Sequence, residues 1–97
     1  MSSLRFEWDE RKAAANKRKH GISFAEAKTA FLDEHARVIP DPEHSVEEDR
    51  FVLLGLSISV RVLVVCHCYR KRGDVIRIIS ARKADRDEIE QYHWWQR

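Results

Sequence analysis

Residues 60–69 read Val-Arg-Val-Leu-Val-Val-Cys-His-Cys-Tyr, and residues 74–82 read Asp-Val-Ile-Arg-Ile-Ile-Ser-Ala-Arg, with Arg-Lys-Arg-Gly between them. Both stretches are dense in the β-branched residues that fit a pleated, half-buried surface, and the glycine-containing break has the composition of a turn. Arg50 to Leu56 has the same character and ends in a serine-rich break, so the second half of the chain predicts an antiparallel meander. Side chains alternate across a strand, and parity therefore divides them into two faces. Val60, Val62, Val64, Cys66 and Cys68 fall on one face, joined by Ile76, Ile78 and Ser80 if Tyr69 stands opposite Val75. That surface is expected to carry the helices. Arg61, Leu63, Val65, His67 and Tyr69 fall on the other, with Arg77, Ile79 and Ala81, and this mixture predicts a half-open face on which His67 lies beside Arg77. Arg61 and His67 are about 20 Å apart along such a strand, at ~3.3 Å per residue, so a site can use only one end of it.

The first third of the chain is polar and helix-prone. Phe6-Glu7-Trp8 reads as a short entering strand, and Trp8 as an anchor between helix and sheet. Asp9 offers an N-cap for a helix running to about His20, where Gly21 provides a left-handed stop. Ser23 with Glu26 three residues on has the form of a capping box, and Phe24, Ala27 and Phe31 give the second helix one apolar stripe. Arg37 to Pro40 predicts a short strand, followed by an irregular stretch through Asp41 to Glu48. Asp85 with Glu88 caps a last helix that carries Ile89, Tyr92 and Trp95, and the adjacent Trp94 and Trp95 either dock a partner protein or second protomer or fold back on the chain. The expected fold is α+β: two N-terminal helices on a small antiparallel sheet of about four strands, with a C-terminal helix.

At 97 residues the chain is expected to form a single domain, 1–97. An apolar content of 43% excludes intrinsic disorder, and a net charge of +2, from 18 basic and 16 acidic residues, leaves the choice of partner to the distribution of charge. The carboxylates gather in helix caps, in the stretch 41–49 and in the last helix. The cations stand on strand ends and on the first helix, where Lys12, Asn16 and Lys19 form a polar i, i+4, i+7 stripe expected to approach Arg61, Arg82 and Lys83. The longest strictly apolar run, Val62 to Cys66, is far short of the ~20 residues that span a bilayer, and the N-terminus lacks the pattern of a secretory signal, so a cytoplasmic location is expected. Cys66 and Cys68 are expected to be reduced thiols, because a disulfide two residues apart on one extended strand would be strained. Cys66-His67-Cys68 does not make a zinc site, since His67 points away from both cysteines.

Four segments taken together resemble the BrnT family of bacterial type II toxins, within the RelE/ParE-like superfamily. They are F-E-W-D-E-R-K-A-A-A-N-K-R-K-H-G-I-S-F-A-E-A from Phe6, D-P-E-H-S from Asp41, G-L-S-I-S-V-R-V-L-V-V from Gly55 and I-R-I-I-S-A-R-K-A from Ile76. The match runs in order from Phe6 to Tyr92. It implies a RelE-like fold and an endoribonuclease that inhibits translation. It also implies a BrnA-like ribbon-helix-helix antitoxin as partner, in a 2:2 heterotetramer that binds operator DNA through the antitoxin and represses its own operon. RNA cleavage by a ribose 2'-hydroxyl needs a base, an acid and cations around the phosphate, and preorganised arginines supply the last without a metal or other cofactor. On this resemblance Arg61, Arg77 and Arg82 match the family's R-x-L-V and I-R-I-I-S-A-R motifs and are expected as phosphate or transition-state ligands. His67, His20 and Glu48 are candidates for proton transfer, and Lys12, Asn16, Lys19 and His20 for RNA contact. Two other classes stay open: a non-catalytic module that binds the antitoxin and regulates the operon, and a ParE-like inhibitor of gyrase.

Overall fold

A computed structural model describes residues 4–41 and 49–96. The expected participation of Glu48 and the stretch 42–48 falls outside the described residues. In chain order the elements are β1 (Arg5–Glu7), α1 (Glu10–His20), α2 (Phe24–Thr29), β2 (Arg37–Pro40), β3 (Phe51–Leu56), β4 (Val62–Arg70), β5 (Val75–Lys83) and α3 (Arg86–Trp94). A 3-10 turn, Ala30–Leu32, extends α2. The five strands form one sheet in the order β1-β5-β4-β3-β2. Neighbours pair antiparallel except β1, which runs parallel to β5 through Arg5↔Val75 and Glu7↔Arg77. The α+β class is as expected, and β1 makes the sheet five-stranded and mixed.

Local chemistry accounts for the helix limits. The Asp9 carboxylate accepts from the N–H groups of Arg11 and Lys12 at 2.8 and 3.2 Å, and Gly21, at φ +74°, ends α1 in the left-handed region. Ser23 accepts from Glu26 N–H at 3.0 Å. Arg61 and Ser57 engage the Glu26 carboxylate, so it serves the β3–β4 connection where a return bond to Ser23 was expected. At α3 the box is complete: Asp85 and Glu88 each accept the other's backbone N–H at 2.8 Å.

Both faces of the sheet are covered, in the reverse of the expected sense. Leu53, Leu63, Val65, Ile78 and Ala81 pack against Ile22, Phe24, Ala27 and Ala30, so α1 and α2 lie on the Leu63–Val65–His67 face. Trp8 packs against this cluster, its ring edge-on to Phe24 at 6.0 Å. On the opposite face Leu54, Val62 and Val64 pack against Tyr92 of α3. The parity assignment itself holds on β4. Parity cannot say which of two apolar faces receives which helix, because β4 is central and buried on both.

A bulge changes the register on β5. Cys66 stands opposite Ser80, but His67 stands opposite Ile78, leaving Ile79 as the extra residue. Beyond it Arg77 faces Cys68, so His67 and Arg77 sit on opposite faces of the sheet, not side by side. Arg61 and Arg82 are likewise separated. Val64 pairs with Arg82 and Leu63 with Lys83, which puts Arg82 on the α3 face and Arg61, two residues from Leu63, on the α2 face.

Candidate functional site

Beyond α3 the Val64–Cys66 face stays half open. A cleft of about 380 Å³ lies there, lined by His20 at the end of α1, Asp41 after β2, Arg50 and Val52 from the β3 side, Cys66 of β4, and Ser80 and Arg82 of β5. Val52, Cys66 and Ser80 form a row across three strands. Arg50 stands two residues to one side of that row and Arg82 two to the other. With strands ~4.8 Å apart and rising ~3.3 Å per residue, their Cα atoms are roughly 16 Å apart on a diagonal. A group held over Cys66 therefore lies between two guanidiniums.

Arg82 is aimed. Its Nη1 donates to Glu88 Oε1 at 2.8 Å and to Lys83 C=O at 3.2 Å, and its Nη2 donates to Glu88 Oε2 at 2.8 Å. A guanidinium has five N–H donors in a planar fork. The remaining two, on Nε and Nη2, point the same way and have no partner among the described residues. They form a lateral pair with the spacing of two phosphate oxygens. The hydrogen bonds from Arg82 hold the Glu88 carboxyl below its ordinary range, and Glu88 in turn raises Arg82, so both stay charged.

His20 is half-buried and is the only histidine lining the cleft among the described residues. Histidine is the side-chain type suited to exchanging a proton near neutral pH. Burial pushes the Cys66 thiol up, opposed by Arg50 and reinforced by Asp41, so sulfur sits in the cleft as a thiol and not as a nucleophilic thiolate. Among the described residues no three His, Cys, Asp or Glu side chains come together to hold a metal ion. No helix among them is long and apolar enough to cross a membrane.

The other expected site residues lie elsewhere. Arg61 gives its own lateral pair to Glu26, with Nε–Oε2 at 2.7 Å, on the α2 face. Arg77 donates to Glu7 at 2.7 Å, tying β1 to β5. His67 is fully buried. Its Nδ1 lies 3.1 Å from Val65 C=O and so carries the proton, its Nε2 accepts from Tyr69 O–H at 3.2 Å, and Phe31 packs edge-on at 4.8 Å. Burial holds this imidazole below its ordinary pKa, and it is neutral. Lys12 and Lys19 are exposed on α1, but Asn16 between them is turned into the sheet and is only 7% exposed. Its amide N–H groups donate to Ile22 C=O at 2.9 Å and Ala81 C=O at 2.8 Å, and its oxygen accepts from Ala81 N–H at 3.0 Å. Because β1 stops opposite Arg77, Asn16 pairs with the β5 edge in its place.

Arg50 was not singled out by sequence, and Asp41 entered only as the start of the stretch 41–48. Arg50 shares the parity of Val52, which was legible. Its closeness to Asp41 depends on the β2–β3 pairing, which Asp41 N–H extends by donating to Arg50 C=O at 2.8 Å.

Comparison with known proteins adds to this geometry. The model of a family described as the ribonuclease toxin BrnT of type II toxin-antitoxin systems matches residues 8–88. Among solved structures, the 1.1 Å crystal structure of the Brucella abortus ribonuclease toxin BrnT aligns with a TM-score of 0.67 at 24% identity, over 87% of this chain and 100% of that one. At that identity the likeness concerns the fold. No curated protein matches the chain.

Proposed function

The chain belongs to the BrnT family of ribonuclease toxins of type II toxin-antitoxin systems, and from that premise we propose that it cuts RNA in the cleft between His20, Arg50 and Arg82. The observation that carries this reading is the lateral N–H pair of Arg82, unfilled by any described residue and lining a cleft that holds a second arginine and a histidine. In the proposed step the ribose 2'-oxygen attacks the adjacent phosphorus while its proton is taken up, and the 5'-oxygen leaves with a proton. The products are a 2',3'-cyclic phosphate and a 5'-hydroxyl. Charge builds on the non-bridging oxygens in the transition state, where Arg82 meets them with two parallel hydrogen bonds and Arg50 adds a second charge from across the cleft. His20 carries one of the two proton transfers. Lys12 and Lys19, exposed on α1, draw the RNA backbone in by charge alone. Arg61, Arg77 and His67 act instead through the fold, each committed to a partner away from the cleft, and Asn16 acts through the fold by holding the backbone of Ala81, which lines the cleft.

At the scale of the cell, cleavage of this kind inhibits translation. The neutralising partner is a BrnA-like ribbon-helix-helix antitoxin, and the 2:2 complex represses its own operon. Family membership and the motifs of the sequence support these finer points. The test is cleavage of a single-stranded RNA oligonucleotide by the purified chain, with product ends identified. Arg82→Ala is expected to lower the rate about a hundredfold, the order seen when one preorganised charge-stabilising donor is lost. An unchanged rate in Arg82→Ala, or 3'-hydroxyl ends in place of cyclic phosphate, removes this assignment.

A further inference from the structure

Far from the cleft, Leu32, Ile58 and Val60 are 76%, 77% and 79% exposed, the three most exposed large apolar side chains among the described residues. They gather at one end of the molecule. Leu32 and Ile58 line a common groove of about 270 Å³, and Val60 belongs to the same β3–β4 turn as Ile58, closed by Val60 N–H donating to Ser57 C=O at 2.9 Å. The turn is fixed from behind: Ile58 N–H donates to Thr29 Oγ1 at 2.9 Å, and Ser57 Oγ–H to Glu26 Oε2 at 2.7 Å. Val60 adopts φ +60°, a left-handed conformation that a β-branched residue takes only under strain. Glycine or asparagine would suit that backbone position better, so an exposed valine there is kept at the expense of the fold.

We propose that this end of the molecule holds the antitoxin. A segment of the partner lays one aliphatic or aromatic side chain into the groove between Leu32 and Ile58, packs against Val60, and sets Lys or Arg beside Glu34. The charge of the occupant follows from the rim: Asp33 lines the groove but its carboxylate is taken up by the N–H groups of His35 and Leu56 and by Tyr92 O–H, so the outward charge is that of Glu34, 89% exposed with the His35 ring 3.8 Å away. A second copy of this chain does not fit. The three apolar side chains offer roughly 150–300 Å², against about 800 Å² that each partner contributes to a stable interface. The remaining area would have to come from the surrounding polar surface, where a twofold contact centred on the groove brings two exposed Glu34 side chains together. A basic segment meets no such repulsion. The groove lies at the opposite end of β3 from Arg50, about 20 Å away along the strand, so docking and RNA cleavage are separable by mutation.

The proposal rests on the reading that an antitoxin neutralises this chain. The experiment measures binding of the BrnA-like antitoxin to the full-length wild type and to Leu32→Asp, Ile58→Asp and Val60→Gly, with Tm and RNA cleavage followed on the same samples. Each variant is expected to weaken binding by at least about tenfold, as loss of an anchoring side chain does, and to cleave RNA at the wild-type rate. Val60→Gly is further expected to raise Tm while weakening binding, a combination that general loss of structure does not produce. Wild-type affinity in all three variants overturns the docking site and leaves the antitoxin reading standing. Failure of the wild type itself to bind overturns both. A wild-type dimer that the variants dissociate also overturns it, in favour of a second copy.

Discussion

Arg82 and Arg61 have the same side chain and near-equal prominence in the sequence, and what separates them is which of their donors are spent. Glu88 grips Arg82 end-on and leaves its lateral N–H pair without a partner among the described residues, whereas Glu26 takes that pair from Arg61. Glu88→Gln is accordingly expected to lower kcat more than it raises KM, because the guanidinium keeps its charge but loses its aim; steady-state kinetics on an RNA oligonucleotide check this. Asn16→Ala leaves the backbone groups of Ala81 and the carbonyl of Ile22 without partners in a buried place. It is expected to cost about 2–4 kcal/mol in a denaturant titration, with RNA affinity unchanged in the folded protein. Acid stability follows from two kinds of group. Burial lowers the pKa of His67, so below about pH 6.5 the unfolded chain takes up a proton that the folded chain refuses, and stability falls as pH drops. Glu26 and Glu88 are held low by Arg61 and Arg82, and for Asp33 burial, the largest single effect, pushes the carboxyl up but is outweighed by Tyr92 O–H and the backbone N–H groups of Leu56 and His35 together. Their contribution is present above about pH 4.5 and lost as pH falls through their folded values. Tm against pH should thus decline in two steps, and His67→Phe should flatten the first.

Among the elements, the helix caps and strand positions were the most legible, because each rests on residues within one turn of each other. Asp9, Gly21, Ser23 and Asp85 all sit where local chemistry places them. The faces were not legible. The bulge at Ile79 is a long-range decision between β4 and β5, and it moved Arg77 to the face opposite His67. Asn16 read as one member of a polar stripe, since nothing local reveals that β1 is too short to cover Ala81. Glycine at position 55 is a further tertiary requirement: a Cβ there would lie 2.9 Å from Ala30 C=O and 3.1 Å from Ala36 Cβ. Gly55→Ala is expected to force β3 away from the 30–36 segment and to lower stability by about 1–3 kcal/mol, read from thermal or denaturant unfolding.

Across the whole molecule, a net charge of +2 conceals a division of labour. Carboxylates from three elements, Glu7, Glu26 and Glu88, neutralise Arg77, Arg61 and Arg82, and only the last lines the cleft. RNA binding should therefore carry a shallow salt dependence, with a log–log slope of about −2 to −3 from Arg50, Arg82 and the lysines of α1, in place of the steep slope of a strongly basic protein. On the proposed function RNA is cut in the Arg82 cleft and not at the Arg61 end of the sheet. The most direct test is the single-turnover cleavage rate of one RNA oligonucleotide by wild type, Arg82→Ala and Arg61→Ala, each measured well below its own Tm. Arg82→Ala is expected to lose about a hundredfold and Arg61→Ala to keep a near wild-type rate. Full activity in Arg82→Ala with loss in Arg61→Ala would contradict the proposed function.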